Sequence, residues 1–333
     1  MDPLTQAALG GAVAQTRGRP RELAKALAIG ALAGMAPDLD VLIRSEGDPL
    51  LALEFHRHFT HSLLFIPFGA LICALAFYPL LAGRWNLTFK QIYIWCLLGY
   101  GSHGLLDACT TYGTQLLWPL SNDRFAWDWI SVVDPLFTLP LLALVILAAV
   151  HRKRGLTLVG LIWGLAYIGL GAIQHERALQ LGEQLARDRG HQPQRLEAKP
   201  SFGNLAVWKV VYETEQHFYV DAVKPGWSNS RVWQGDSVPK LDLARDLPWL
   251  TGDTQQARDI ERFRWFSAGY IALDQNDPRR VVDIRYSLLP HRIDPLWGIQ
   301  LDQGATSQDF ARYYTDRGDG RKALGDLWQM IVE

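Results

Sequence analysis

Long stretches without a charged side chain dominate the first half of this sequence. Residues 62–83 and 155–174 contain no Asp, Glu, Lys or Arg. A helix needs about 20 consecutive apolar residues to cross the hydrocarbon core of a bilayer. Both stretches meet that length, and they therefore predict membrane-spanning helices.

Four further segments extend this pattern. Residues 91–106 are uncharged, and residues 130–150 are interrupted only near their start, by Asp134. Residues 4–16 and 23–37 are shorter and rich in alanine and glycine, which suits close packing between helices. We expect an α-helical transmembrane bundle of about five spans, or six if both short segments cross the membrane.

The second half of the chain has a different composition. From Glu176 onward a charged residue recurs every few positions, which is typical of a water-soluble fold. Residues 205–220 and 280–289 alternate in polarity and are rich in β-branched and aromatic types, so they predict strands. Residues 307–314 and 321–332 predict short helices.

Basic residues in the predicted loops indicate the orientation. The loop at residues 151–154 (HRKR) lies between two predicted spans and is cytoplasmic by the positive-inside rule. Two earlier loops, at residues 17–25 and 84–90, also carry Lys and Arg and fall on the same side. We therefore expect a multi-pass protein of the inner (plasma) membrane whose C-terminal domain lies outside the cytoplasm.

These patterns predict three regions along the chain. The fold class is a transmembrane helical bundle followed by a soluble mixed α/β, strand-containing domain. The regions are a transmembrane helical domain that carries the candidate metal site at residues 1–175, a polar helix or linker at 176–195, and a soluble extracytoplasmic domain at 196–333.

Ionisable side chains cluster at the outer ends of the predicted spans, where they are costly to bury and usually serve a function. The set comprises Asp38, Asp40, His56, His58, His61, His103, Asp107, Asp128 and Asp134. His103 and Asp107 are four residues apart, so on a helix they share one face and can reach the same ion. An imidazole and a carboxylate at that spacing suit zinc or a similar divalent metal.

Several members of this set also have plain structural interpretations. His103 could form a hydrogen bond between helices, and His58 could be an interfacial polar residue. Asp134 directly precedes a proline and could cap the N-terminus of a helix. Asp38 and Asp40 could supply oxygen ligands, or one of them could act as a general base on a metal-bound water.

The same residues lie in an ordered set of short motifs. These are MDPLTQA from Met1, PDLD from Pro37, HRHFTHS from His56, TTYGTQ from Thr110 and DPLFTLP from Asp134, together with His103 and Asp107. The set resembles the YdjM-type family of inner-membrane metal-dependent hydrolases over about residues 1–175. This resemblance implies a membrane-embedded hydrolase that depends on a metal ion. Some members of that family carry histidine where this chain has Gln6.

The first functional hypothesis is a membrane-bound hydrolase that acts on a phosphoester or lipid-like substrate at the outer face of the inner membrane. The PDLD and HRHFTHS motifs are also similar to those of zinc-dependent phospholipase C proteins, which implies a phosphoester. In this hypothesis Asp38 is the general base, and Arg57 stabilises an anionic group of the substrate. The ligands of the divalent metal, which their chemistry suggests is zinc, are Asp40, His56, His61, His103 and Asp107.

The alternative is a non-enzymatic membrane protein whose His/Asp cluster is structural, binds metal or serves transport, and whose C-terminal domain binds a partner. Carriers place their sites near the midplane of the bilayer, whereas these residues lie at helix ends. The formal net charge of −1 lacks the basic excess of a nucleic-acid binder. The expected partners are therefore membrane lipid and a small-molecule or lipid substrate, with no nucleic acid.

Overall fold

The computed structural model describes residues 1–227 and 229–333, and contacts within the chain divide it into two units. The helical unit comprises Met1–Leu42, Phe55–Ile173 and Phe202–Asn204. The mixed unit comprises Ile43–Glu54, Gln174–Ser201 and Leu205–Glu333. A short segment from the first half of the sequence therefore folds with the second half.

Helices make up most of the first half of the chain, and a non-helical segment at residues 109–134 separates the fifth helix from the sixth. They are α1 (Pro3–Gln15), α2 (Leu23–Met35), α3 (Leu51–Phe55), α4 (Ile66–Trp85), α5 (Phe89–Ala108), α6 (Pro135–His151) and α7 (Arg154–Asp188). A 3-10 turn at Ala36–Leu42 follows α2, and another at Phe59–His61 precedes α4. These turns carry Asp38, Asp40 and His61, and they therefore determine where these three candidate site residues lie.

Within the described residues, two helices are long and apolar enough to cross a membrane, Ile66–Trp85 and Arg154–Asp188. The expected number of about five spans is not reached, because several helices are too short or too polar. α1 and α2 have 13 residues each and α6 has 17, fewer than the roughly 20 that a bilayer core requires. α5 has 20 residues, but Lys90, His103 and Asp107 reduce its apolar character.

The helices α4 and α7 turn most of their apolar side chains outward. Only 22% of the most apolar part of α4 and 28% of the most apolar part of α7 is buried. The core helix of a soluble protein is, by contrast, mostly buried. Ile72 of α4 and Leu165 of α7 have 61% and 72% of their surface exposed. Extended apolar surface of this kind marks a contact with lipid or with another protein.

Glycines bring α1, α2 and α5 into close contact. A Cβ added to Gly99 would lie 2.3 Å from the backbone oxygen of Gly30, and one added to Gly10 would lie 2.6 Å from the same atom. Small residues at such contacts let the backbones of membrane helices approach closely. The packing places the C-terminal half of α5 beside the end of α2, where the turn at Ala36–Leu42 begins.

The mixed unit contains two antiparallel sheets. The first has the order β1 (Arg195–Pro200), β2 (Trp208–Glu213), β3 (His217–Lys224) and β4 (Arg231–Trp233), and β5 (Ser237–Pro239) also pairs with β3. The second has the order β6 (Ile271–Leu273), β7 (Arg280–Asp283), β8 (Trp297–Gln300) and β9 (Arg312–Thr315). Helices α8 (Leu243–Asp246), α9 (Gln255–Phe266) and α10 (Gly320–Val332) belong to the same unit. The predicted strand-containing C-terminal domain is thus confirmed.

The core of the mixed unit lies between its two sheets. Val211 and Phe218 from the first sheet pack in one cluster with Ala272 and Val282 from the second. These side chains alternate along their strands with residues of the opposite face, as the pleat of a strand requires. The burial is what holds the two sheets together, since apolar area removed from water is the main favourable contribution to folding.

One helix predicted in this unit is wrong. Residues 307–314 were expected to be helical, but Arg312–Thr315 form strand β9, in which Tyr314 pairs with Gly298 of β8. Two tyrosines followed by a threonine fit a pleated, half-buried surface better than a helix. The helix expected at residues 321–332 is confirmed as α10.

Arg262 of α9 holds the segment Ile43–Glu54 in the mixed unit. Its guanidinium binds the carboxylate of Asp48 through Nη1 at 3.0 Å and Nη2 at 2.8 Å, and it binds Glu54 through Nε at 2.5 Å. Asp259 of the same helix accepts a further bond of 3.0 Å from Nη1. One arginine therefore forms ion pairs with three carboxylates, two of which come from a segment more than 200 residues earlier in the sequence.

We expect Arg262→Ala to release this segment. Removal of one partner leaves three partly buried carboxylates without their counter-charge, which is far more costly than loss of a surface pair. Limited proteolysis of the full chain should show faster cleavage within residues 43–54. The matched control is Arg264→Ala, because Arg264 pairs with Glu261 at the surface of the same helix, and such pairs contribute about 0–1 kcal/mol. Equal cleavage of the two variants would contradict this account of Arg262.

Candidate metal centre

Four side chains from three separate elements converge on one point in the helical unit. His103 and Asp107 lie on the last turns of α5, His61 ends the turn at Phe59–His61, and Asp38 lies in the turn after α2. One ligand atom from each of these residues lies within 4.8 Å of the other three. The structure thus brings together His103 and Asp107, as their spacing predicts, and adds one residue from each turn.

The distances between these atoms match a tetrahedral ion. His61 Nε2 and His103 Nε2 are 2.9 Å apart, and Asp38 Oδ1 lies 3.4 Å from the first and 3.3 Å from the second. Asp107 Oδ2 lies 3.3 Å from His61 Nε2 and 3.6 Å from His103 Nε2. Ligands held about 2.0–2.1 Å from a tetrahedral zinc ion lie about 3.3 Å from one another. The four residues therefore fit a divalent metal of this geometry.

The buried oxygen Asp107 Oδ2 supports the same conclusion. The side chains of His61, His103 and Asp107 are fully buried, whereas 21% of the Asp38 side chain is exposed. Arg57 Nε lies 3.0 Å from Asp107 Oδ2, but among the described residues this oxygen accepts no hydrogen bond of regular geometry. An ion at the convergence point would satisfy this oxygen, because the oxygen faces both imidazole Nε2 atoms.

The other nitrogen of each imidazole is already engaged. His103 Nδ1 lies 2.5 Å from the backbone oxygen of Gly34, and His61 Nδ1 lies 2.9 Å from Thr60 Oγ1 and 3.3 Å from Asp40 Oδ2. Metal-binding histidines usually donate their second ring nitrogen to a carbonyl or a carboxylate, which fixes the ring. Both rings are therefore oriented with Nε2 towards the point of convergence.

Asp40 lies next to the four-residue group and is not a member of it. Its Oδ2 accepts hydrogen bonds from the backbone nitrogen of Arg57 at 2.9 Å and from Thr60 Oγ1 at 3.0 Å. Its Oδ1 lies 2.8 Å from His56 Nδ1. The sequence suggested Asp40 as a ligand and Asp38 as the base, but the structure places Asp38 in the four-residue group. Asp40 and His56 instead form a second, three-residue group that also includes Asp38.

Arg57 is buried beside Asp107. Its Nε lies 3.0 Å from Asp107 Oδ2, and its Nη1 donates to Thr110 Oγ1 at 2.8 Å. The residue is 4% exposed and adopts a left-handed backbone conformation with φ of 63°, which is uncommon for a residue other than glycine. The structure therefore places the guanidinium against a candidate ligand, where it compensates the charge of that carboxylate.

Gln6 lies in the same cluster. Its Nε2 donates to Asp107 Oδ1 at 2.9 Å, and the nitrogen of Met1 contacts the same oxygen. Among the described residues, Gln6 Oε1 is buried without a hydrogen-bond partner. Gln6 is therefore adjacent to the candidate ligands, where it presents an amide.

The remaining ionisable candidates lie elsewhere. The ring of His58 lies 5.1 Å from that of Trp118 and 5.4 Å from that of Phe55, and the residue belongs to neither ligand group in the described chain. Asp134 caps the N-terminus of α6, where its Oδ1 accepts from the backbone nitrogens of Leu136 and Phe137 at 3.1 and 3.2 Å. The interpretation of Asp134 as a helix cap is thus confirmed.

The electrostatic field at the convergence point favours positive charge. Burial disfavours the protonated imidazole of His61, but hydrogen bonds with Asp107, Asp38 and Asp40 outweigh this effect and raise its pKa to about 10. A proton and a divalent cation compete for the same nitrogen lone pair. The carboxylates that stabilise the proton on His61 would also stabilise a cation at that position.

Three supporting residues were not singled out from the sequence. Thr60 orients His61 and Asp40, Thr110 accepts from Arg57, and the Tyr112 ring lies 4.9 Å from the Arg57 guanidinium. All three lie inside the HRHFTHS and TTYGTQ motifs, and these motifs could therefore have indicated them as site residues. Their hydrogen-bond partners come from other elements, and that pairing cannot be inferred from spacing.

Gly104 allows His61 to approach α5, and this provides a test of the geometry. A Cβ at Gly104 would lie 2.4 Å from the backbone oxygen of His61, so Gly104→Ala must displace that turn. We expect metal affinity to fall by about 10- to 100-fold, the loss typical when support for a ligand is removed. The control is Gly101→Ala on the same helix, where the new Cβ would meet the Ile66 side chain at an ordinary 3.4 Å. Titration of both variants with Zn²⁺ should separate them, and equal affinities would contradict the expected displacement.

Comparison with known proteins identifies the family. A family model described as "YdjM inner membrane protein" matches residues 1–178. The uncharacterized protein YfhP of Bacillus subtilis (strain 168) is 26% identical over 281 residues, which cover 81% of this chain and 80% of YfhP. The inner membrane protein YbcI of Escherichia coli (strain K12) is 31% identical over 144 residues, which cover 40% of this chain and 80% of YbcI.

The extent of these matches is informative. The similarity to YfhP is longer than the 178 residues of the family model, so it extends into the mixed unit. No solved structure matches the chain. The family model covers more than half of the sequence and includes all residues of the candidate metal centre. This chain therefore belongs to the YdjM family of inner membrane proteins.

Proposed function

We propose that this protein is a membrane-bound, metal-dependent hydrolase. The observation that carries the proposal is the buried group of His61, His103, Asp107 and Asp38, whose facing atoms are spaced as the ligands of a tetrahedral ion. Two imidazoles and two carboxylates suit zinc. Four protein ligands complete a tetrahedral shell, so a water would have to join a zinc ion here as a fifth ligand, on the side where Asp38 is exposed. The ion would lower the pKa of that water to about 7 and so make hydroxide available at neutral pH.

The residues of the chain have distinct roles in this proposal. His61, His103 and Asp107 hold the ion from the buried side, and Asp38 holds it from the side that solvent reaches. Arg57 keeps the carboxylate of Asp107 ionised and in place. Substrate enters beside Asp38 and His56, because these two side chains retain 21% and 24% of their exposure.

The substrate we propose is a phosphoester or lipid-like molecule at the outer face of the inner membrane. The site lies at the C-terminal end of α5 and in two turns, which is where a multi-pass bundle would meet the aqueous boundary. A site at that level suits an amphipathic molecule whose head group is in water and whose tail is in lipid. The Lys and Arg residues of the loops favour an orientation with this end of the bundle, and the C-terminal domain, outside the cytoplasm.

The competing function is a structural His/Asp cluster in a non-enzymatic membrane protein. Its support is that Arg57 and the imidazoles can compensate the carboxylates without an ion. A transport site is disfavoured, since carriers bind their substrates near the midplane and this cluster lies at helix ends. Metal-dependent hydrolysis distinguishes the two functions, because it is expected of the hydrolase and not of a structural cluster.

The test is hydrolysis by detergent-purified protein of a panel of phosphomonoesters, phosphodiesters and phospholipids. We expect turnover of at least one phosphoester class, loss of turnover after treatment with a chelator, and recovery on addition of Zn²⁺. His103→Ala should be inactive, and His58→Ala should behave as the wild type. A protein that binds metal but hydrolyses none of the panel would favour the non-enzymatic function.

A further inference from the structure

We propose that Asp38, Asp40 and His56 form a second divalent-cation site, which shares Asp38 with the first and makes the centre a two-cation site for phosphate esters. This inference rests on the proposed function, since it assumes an ion at the first site. The observation is that one ligand atom from each of these three residues lies within 4.8 Å of the other two.

The ligands of the second group differ from those of the first. Two carboxylates and one imidazole make an oxygen-rich set, which suits Mn²⁺ or Mg²⁺ better than zinc. Three protein ligands leave other positions open to water or substrate. The exposed fractions agree with that arrangement, because 24% of the His56 side chain and 21% of the Asp38 side chain are accessible while Asp40 is buried.

Asp38 is the residue that can join the two sites. Its Oδ1 faces the imidazoles of His61 and His103 at 3.4 and 3.3 Å, and its carboxylate also belongs to the group of Asp40 and His56. A carboxylate has two oxygens and about four lone-pair positions, so it can accept from two partners at once. The turn at Ala36–Leu42 carries Asp38 and Asp40 two residues apart. With this spacing, Asp40 can bind the second cation while Asp38 lies between the two.

The charge of the cluster supports a second cation. Asp38, Asp40 and Asp107 contribute three negative charges, and ligating imidazoles are neutral. The groups that can carry positive charge, Arg57 and the Met1 nitrogen, both contact Asp107, so the negative charge that they leave uncompensated lies at Asp38 and Asp40. A second divalent ion beside these two carboxylates would make the site more positive, which favours an anionic phosphate ester. Arg57 does not supply this charge, because its guanidinium is buried against Asp107 and Thr110.

The substrate class follows from this arrangement. Paired cations about 3.5–4 Å apart stabilise both the attacking and the leaving oxygen in displacement at phosphorus. The chain contributes an open edge at His56, whose ring packs 5.4 Å from that of Tyr112. We therefore assign phosphate esters to this site in preference to carboxylic esters or amides.

The test uses Mn²⁺ alone as the probe on full-length, metal-depleted protein in detergent. We expect wild-type protein to bind two equivalents and to give the electron paramagnetic resonance signal of a spin-coupled pair. His56→Ala should bind one equivalent and give the six-line signal of an isolated ion. His56→Asn should do the same, because its amide can still donate to Asp40 but ligates weakly. His58→Ala, a neighbouring histidine outside both groups, should match the wild type.

The outcomes are distinguishable. One equivalent in the wild type, unchanged in His56→Ala, would overturn the second site and leave the proposed function on a single ion. Two equivalents retained in both His56 variants would also overturn it, since the second ion would then lie elsewhere. If the wild type bound no Mn²⁺, this inference would be overturned, and if it bound no Zn²⁺ either, the proposed function would be overturned with it.

Discussion

Replacing His103 with alanine is expected to lower the affinity for Zn²⁺ by more than about 100-fold. Loss of a residue that merely supports a ligand costs about 10- to 100-fold, so loss of a ligand should cost more. His103 Nε2 lies within 3.6 Å of the facing atoms of His61, Asp38 and Asp107, and its removal opens one vertex of the group. Equilibrium titration of detergent-purified protein, with competition against a chelator of known affinity, measures the change.

Asp107→Ala should lose metal to a similar extent but will also reduce stability. It leaves the buried Arg57 without its carboxylate, and breaking a buried ion pair costs about 3–5 kcal/mol. His103→Ala is therefore the cleaner variant. His58→Ala is the matched control, because its ring packs among aromatic side chains away from the group. Full metal content in His103→Ala would show that the four residues do not form one metal site.

The second large effect concerns orientation. An alkaline phosphatase reporter fused after Glu333 should be active, because the basic loop at residues 151–154 is expected in the cytoplasm and the C-terminal domain outside it. The reporter folds to an active enzyme only outside the cytoplasm, so the expected result is all or none. The matched control is the same reporter placed after Lys153, between α6 and α7, where it should be inactive. The reverse pattern would invert the proposed orientation and place the candidate metal centre on the cytoplasmic side.

Local rules predicted the parts of this molecule that local geometry decides. His103 and Asp107 meet because four residues make about one helical turn, and α5 is helical at that point. Asp134 caps α6 because an Asp before a proline at a helix start satisfies the first free backbone nitrogens. The split between the two halves followed from charge density, and the strands of the second half followed from its alternating, β-branched and aromatic residues.

Features that depend on distant partners could not be predicted in this way. The segment Ile43–Glu54 lies between two membrane-domain motifs, and nothing in its composition indicates that Arg262 binds it. The placement of Asp38 in the four-residue group, with Asp40 outside it, has a similar cause, because a 3-10 turn directs nearby carboxylates differently from a regular helix. The number of spans was overestimated because several predicted segments fold as helices that are too short or too polar to cross a bilayer. α1 and α2 have 13 residues each, α6 has 17, and α5 carries Lys90, His103 and Asp107.

The resemblance supplied what spacing could not. His61 and Asp38 lie on turns, outside the regular helical periodicity that links His103 to Asp107. The ordered motifs drew attention to those turns, and the fold then placed Asp38 Oδ1 and His61 Nε2 within 3.4 Å of each other. Packing through Gly30, Gly99 and Gly104 is what brings these turns against α5.

Metal content is the most direct test of whether His61, His103, Asp107 and Asp38 hold a divalent metal. The measurement is elemental analysis of full-length protein purified from membranes in detergent, without chelator, followed by exhaustive dialysis. We expect at least one equivalent of divalent metal per chain in the wild type, and a marked loss in His103→Ala. If the wild-type protein carried no metal, and took up none when Zn²⁺ or Mn²⁺ was supplied, these residues would not form a metal site.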